Sequence, residues 1–256
     1  QIAHLATNAN NKLTNADLHG TTRMLSTRVP SNTKPGFDLD FQSGTFLLSL
    51  FVQLVVIRFS VASMSGSISE TLSAILLLET IVQGVEFAWY LVVGLLFLSG
   101  RSVDVVYRYL DWLVTTPVML ITLLLFLLFL HEPCLEYNGI VQKQPNLFAL
   151  IAVSVVADWV MLGCGLYYEM KKSTAAFVVA SVALLVAFVP HALVLANHFS
   201  WLGLEALLTT LVIWALYGVA SYALRSNEKQ KNGAYNVLDI FSKNVAGVVV
   251  SVCALN

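Results

Sequence analysis

The chain has 256 residues, 57% hydrophobic and 11% charged, with a mean hydropathy of +0.76 and a formal net charge of −1. Soluble domains carry about 25% charged residues, so the composition argues against a soluble enzyme and for an integral membrane protein lying in a lipid bilayer. The near-neutral charge gives no footing for nucleic acid. Cys134, Cys164 and Cys253 are scattered, without a CxxC or a histidine at ligand spacing, so neither a disulfide framework nor a metal site is expected.

Residues 1–42 are polar and punctuated by "VPSNTKPG". They lack an apolar core of signal-peptide type and are expected to form an extramembrane tail. Residues 43–256 are expected to form one membrane domain. In chain order its apolar segments are Thr45–Met64, Thr71–Leu98, Val105–Leu130, Leu147–Tyr168, Ala175–Asn197, Trp201–Leu224 and Ala234–Leu255. Each is long enough to cross about 30 Å of hydrocarbon as a helix. The linkers between them, such as "SGSIS", "EMKKST" and "RSNEKQKNG", are polar, and most are short. The runs lack the alternation a barrel needs. The predicted fold is therefore all-α, a bundle of seven transmembrane helices with a polar N-terminal tail.

Charges inside the apolar runs carry the functional reading. An ionisable side chain at mid-bilayer costs about 2.5–3.5 kcal/mol on insertion scales, so it needs a partner or a task. The seventh segment holds Asp239 and Lys243, one helical turn apart. The third holds Arg108, Asp111 and Thr115 on one face. Two carboxylates and an arginine around one buried lysine fit a structural ion-pair cluster. They also fit a lysine that condenses with a carbonyl compound, with Asp111 and Asp239 balancing the charge. Trp112, Trp214 and Tyr217 then offer aromatic walls for a flat, conjugated ligand.

These motifs resemble the microbial (type 1) rhodopsins, and the likeness runs over all seven segments. "RYLDWLVTTP" matches the family's arginine, counterion aspartate, tryptophan and threonine, here Arg108, Asp111, Trp112 and Thr115. "LDIFSK" places a second counterion, Asp239, four residues before the retinal lysine, Lys243. "ADWVMLGCG" is similar to the family pattern in which Asp158 bonds Thr116 while Met161 and Gly165 lie near the retinal ring. "WALYG" supplies Trp214 and Tyr217, with Gly218 where many pumps have proline. The resemblance implies all-trans retinal bound as a Schiff base on Lys243, with Arg108 and Thr115 holding Asp111 and Asp239. It implies a photoreceptor that is not an enzyme, and it admits a homo-oligomer. It also implies an extracellular N-terminus and a cytoplasmic C-terminus. The positive-inside rule argues the reverse, because lysines and arginines cluster on the N-terminal side.

Transport divides two readings. Outward proton pumps of the family carry a donor carboxylate eleven residues after the counterion, and here that position is Thr122. A hydroxyl does not store a proton near neutral pH. The first and second segments place Ser49, Gln53, Glu79 and Glu86 at helical spacing, and Asn244 follows the lysine. With Asp239 these residues are expected to form a polar file between the first, second and seventh segments, suited to cations. The set resembles the group-1 viral rhodopsins, which implies a light-gated cation channel. A light-driven proton pump and a slow photosensor are the alternatives. Glu79 near the interface and Glu86 as a packing contact is the plainer account of those two. Asp158 with Thr116 is expected to tune channel lifetime. His191 is expected to pack, and Arg58 to reach the interface.

Overall fold

In the computed structural model, residues 41–66, 69–99, 105–131, 139 and 142–255 are described. They contain seven helices long and apolar enough to span a bilayer. These are α1 (Phe41–Gly66), α2 (Glu70–Leu98), α3 (Val106–His131), α4 (Leu147–Lys171), α5 (Thr174–Asn197) and α6 (Trp201–Ala223). The seventh span comprises α7 (Glu228–Asp239), a π-helical turn (Ile240–Val245) and α8 (Ala246–Leu255). The expected tail up to residue 40 lies outside the described residues, as do Arg101, Asp104, Glu132 and Cys134.

Two boundaries differ from expectation. The first helix takes in Phe41 and Gln42, which the sequence reading gave to the tail. The seventh span starts at Glu228, within the stretch read as the linker "RSNEKQKNG". Asn227 caps it, its side chain accepting from the Gln230 amide at 3.1 Å. Lys231, counted as a surface charge in the sequence, is fully buried there.

The helices are apolar outside and polar within. On α1, Leu47, Phe51 and Val55 are exposed, whereas Ser49, Gln53, Ser60 and Ser63 are buried. Lipid replaces water around such a bundle, and interior hydroxyls and amides bond between helices. Ser60 of α1 meets Ser251 of α8 at 3.3 Å in this way. The apolar core gathers around α3, where Leu124, Leu125, Phe126 and Leu127 pack against α5 and α6 residues such as Phe188, Leu195 and Leu207. This makes α3 the central post of the bundle. Facing it, the seventh span widens to π geometry over "IFSKNV" without glycine or proline. Single π turns of this kind occur frequently at functional sites.

Candidate functional site

Lys243 lies in that π turn, and its side chain is 2% exposed. Its Nζ donates to Asp111 Oδ2 at 2.7 Å, and lies 3.4 Å from Glu86 Oε1 and 4.0 Å from Asp239 Oδ1. Three helices, α2, α3 and α7, thus each present a carboxyl to one ammonium. The sequence reading anticipated Asp111 and Asp239. It placed Glu86 in the ion path and did not bring it to the lysine.

Asp239 is held from several sides. Its Oδ2 accepts from Tyr90 Oη at 2.5 Å and from Arg108 Nη1 at 3.0 Å, and its Oδ1 accepts from Tyr217 Oη at 2.6 Å. Arg108 Nη2 also donates to Asn236 Oδ1 and, at 3.3 Å, to the Asn232 carbonyl. The guanidinium carbon lies 5.7 Å from the ring centres of both Tyr90 and Tyr235. Arg108 was expected to hold both aspartates, but its charge is engaged by Asp239. Thr115 was expected to hold the Asp111 carboxylate. Its hydroxyl instead donates to the Asp111 backbone carbonyl at 3.0 Å, the usual back-bond of a mid-helix threonine. Asp111 Oδ1 and both Glu86 oxygens accept no hydrogen bond.

A cavity of about 370 Å³ opens beside Lys243 between α3, α4, α5, α6 and the π turn. Trp112, Trp214 and Tyr217 wall it, and Thr116, Met161 and Gly165 line it as expected. A Cβ at Gly165 would lie 3.0 Å from Tyr109 Oη, so glycine is what admits the tyrosine there. Trp112 meets Tyr217 and Tyr235 edge-on, with centroids 5.2 and 5.5 Å away. Among the described residues Lys243 is the one charged group on this wall. An apolar slot with one amine suits an apolar carbonyl compound joined covalently to that amine. Behind the wall, Thr116 Oγ1 donates to Asp158 Oδ2 at 2.7 Å, the pair expected from sequence. His191 is buried, and its Nε2 meets the Leu120 carbonyl at 2.8 Å.

The expected file divides. Gln53 Nε2 donates to Ser49 at 3.1 Å, and Asn244 is buried on the π turn. Gln83, fully buried on α2 beside Gly247, was missed. Its position four after Glu79 and three before Glu86 puts it on the same helix face, and that spacing was the available signal. Gly247 makes room for it, because a Cβ there would lie 2.0 Å from Gln83 Nε2. Gln53 Oε1 and both polar atoms of Gln83 and of Asn244 have no partner. Glu79, expected in the file, turns to α3 instead, where its Oε1 accepts from Thr122.

A second cluster was also missed. Glu169 accepts from Ser221 at 2.6 Å, Lys231 at 2.8 Å, Lys172 at 3.0 Å and Tyr235 at 3.2 Å. Lys231 also donates to Glu228 at 2.9 Å. In the sequence Glu169 sits in "YYEMKK" and reads as an interfacial charge.

The family model described as bacteriorhodopsin-like protein matches residues 40–256. No curated protein matches the chain. Among solved structures, the viral rhodopsin OLPVRII is similar with a TM-score of 0.67 at 21% identity, over 84% of this chain and 97% of that one. A thermophilic rhodopsin is similar with a TM-score of 0.67 at 20% identity, over 84% and 92%. The bromide-bound halorhodopsin from Halobacterium salinarum follows with a TM-score of 0.62 at 19% identity, over 84% and 94%. At these identities the structural likeness concerns the fold.

Proposed function

This chain belongs to the bacteriorhodopsin-like proteins, and from that premise we propose that it is a retinal photoreceptor that opens a cation path when lit. The family implies a retinal chromophore, and the slot beside Lys243 suits it: apolar, aromatic-walled and served by one amine. Lys243 is the attachment residue, with Trp112, Trp214 and Tyr217 as walls and Thr116, Met161 and Gly165 around them. Bound there in the all-trans form, retinal supplies light absorption and a change of shape. Asp111 faces the Lys243 nitrogen directly, while Asp239 adds charge from a position fixed by Arg108, Tyr90 and Tyr217. Two cations against three carboxyls leave one proton to share, because an uncompensated buried charge is costly. The helical part from Phe41 onward is the retinal-binding domain, and its N-terminal end faces the extracellular side.

The channel reading rests on one observation. Gln53 of α1, Gln83 and Glu86 of α2 and Asn244 of the π turn are each buried, and all carry polar atoms without a hydrogen-bond partner. Buried polar groups are nearly always hydrogen-bonded, so a seam of this kind calls for water. A hydrated seam edged by a carboxyl suits cation passage. Photocurrent under voltage clamp tests it. A current that reverses near the cation equilibrium potential supports the channel. A current that stays outward at every voltage replaces it with an outward proton pump. The 2.7 Å contact from Lys243 to Asp111 favours that second reading, because it gives a proton a direct acceptor. Absorption without current points to a photosensor.

A further inference from the structure

The break that Pro117 makes in α3 is repaired from outside that helix. Proline has no N–H, so the Leu113 carbonyl, four residues earlier, loses its ordinary helical donor. Leu113 and Val114 have exposed side chains on the outer surface of the bundle. Water is not at hand there, and an unmet carbonyl is costly in lipid. Hydroxyls of the same turn are engaged elsewhere. Thr115 donates to the Asp111 carbonyl at 3.0 Å, and Thr116 donates to Asp158 at 2.7 Å. The donor that serves Leu113 comes from α4, where Trp159 Nε1 donates to its carbonyl at 3.3 Å. Asp158 and Trp159 are consecutive, and Leu113 and Thr116 lie one turn apart. Two adjacent residues of α4 therefore grip α3 just before its proline, one accepting a hydrogen bond and one donating. Trp89 of α2 and His191 of α5 make bonds of the same kind to the Tyr107 and Leu120 carbonyls of α3, at 2.7 and 2.8 Å. Asp111 and Leu124 stand four residues after those two carbonyls, and each has an N–H to offer. Of the three, Leu113 is the one where an aromatic N–H replaces a missing helical donor.

We propose that Trp159 is a positioning residue: its indole N–H caps the carbonyl that Pro117 frees, and so sets where α3 holds Asp111 against Lys243. Leu113 lies two residues from Asp111, whose carboxylate receives Lys243 Nζ at 2.7 Å. Asp111 Oδ1 accepts no hydrogen bond, and Thr115 bonds the Asp111 backbone rather than its carboxylate. The place of that carboxylate therefore follows the path of α3, and a proline is where the path of a helix bends. Trp159 is half exposed and is not among the residues that line the slot, so it acts through α3 and not on the ligand. The cap stands whatever the slot holds. Its effect on the visible band rests on the retinal reading.

A double-mutant cycle on the full chain in lipid separates capping from packing. Trp159→Phe keeps an aromatic ring and removes the N–H. Pro117→Ala returns an N–H four residues after Leu113, so the carbonyl no longer needs the indole. With Pro117 in place, Trp159→Phe should speed thermal bleaching roughly fivefold, the worth of one hydrogen bond. In the Pro117→Ala background the same change should alter the rate by no more than about twofold. The visible band should move in Trp159→Phe, and adding Trp159→Phe to Pro117→Ala should move it no further. An equal cost in both backgrounds, no cost beside Pro117, or a band unmoved by Trp159→Phe overturns the proposal. If a variant forms no pigment, the cycle is read as thermal unfolding of the retinal-free chains by circular dichroism. Coupling between positions 117 and 159 then supports the cap, and additivity overturns it. A failure of the retinal reading appears elsewhere, as a visible band that survives Lys243→Ala, and leaves the unfolding cycle untouched.

Discussion

The part of the bundle around Asp239 and Glu169 and the part around Glu79 and Gln83 both bury polar side chains, and they treat them oppositely. Asp239 accepts from Tyr90, Arg108 and Tyr217, and Glu169 accepts from four donors on three stretches of chain. In the other part, Gln83 and Asn244 leave every side-chain polar atom without a partner, and Glu79 and Gln53 each leave one. Both parts lie inside the same fold, so burial alone does not explain the difference. A saturated network resists movement and excludes water, whereas an unsaturated one invites water and can rearrange. The comparison divides the molecule into a fixed end, which holds Asp239 near Lys243, and an adaptable side, where the proposed cation path is placed.

Lys243 is the hinge between the two, and its removal has the largest expected effect. Lys243→Ala should abolish the visible band of the reconstituted protein, as read by absorption spectroscopy. A normal band in this variant would sink the retinal assignment. Next comes the fixed end. Lys231→Ala leaves Glu169 buried beside Lys172 with its closest cation gone. Removing one partner of a buried pair costs about 3–5 kcal/mol, read as earlier thermal bleaching. A stability close to wild type would mean that this end is not rigid, and the contrast would collapse.

The adaptable side should respond in transport rather than stability. Gln83→Leu dries the seam. An added barrier of about 1.4 kcal/mol corresponds to a roughly tenfold smaller photocurrent, with the visible band unmoved. An equal current would place the cation path elsewhere. The smallest effect is expected at the pair behind the cavity. Thr116→Ala removes the bond to Asp158, worth about 1 kcal/mol, and should lengthen the open state several-fold after a flash. Unchanged closing would show that this bond does not time the cycle.

The contrast also explains what the sequence disclosed. Hydropathy found every span, because a bilayer demands long apolar runs whatever their packing. Asp111, Asp239 and Lys243 stood out because charge inside such a run is expensive. Gln83 did not, since an uncharged amide among apolar residues draws little notice, although its spacing from Glu79 and Glu86 marked the face. Glu169 and Lys231 were hidden for another reason. They sit where interfacial charge is ordinary, and Glu169 of α4 finds its partners Ser221, Lys231 and Tyr235 on other helices. Arg108 was assigned to both aspartates because spacing on one helix says nothing about distance to another. The π turn has no local signature, since "IFSKNV" contains neither glycine nor proline.

Gly247 carries a consequence for engineering. Its missing side chain is the berth of Gln83, so the bore of the seam is set by an atom the protein does not possess. Alanine at this position acts as a one-methyl wedge that displaces the Gln83 amide. On the proposed channel reading Gly247 is thus a caliper, a place at which conductance is expected to change without touching Lys243, Asp111 or Asp239.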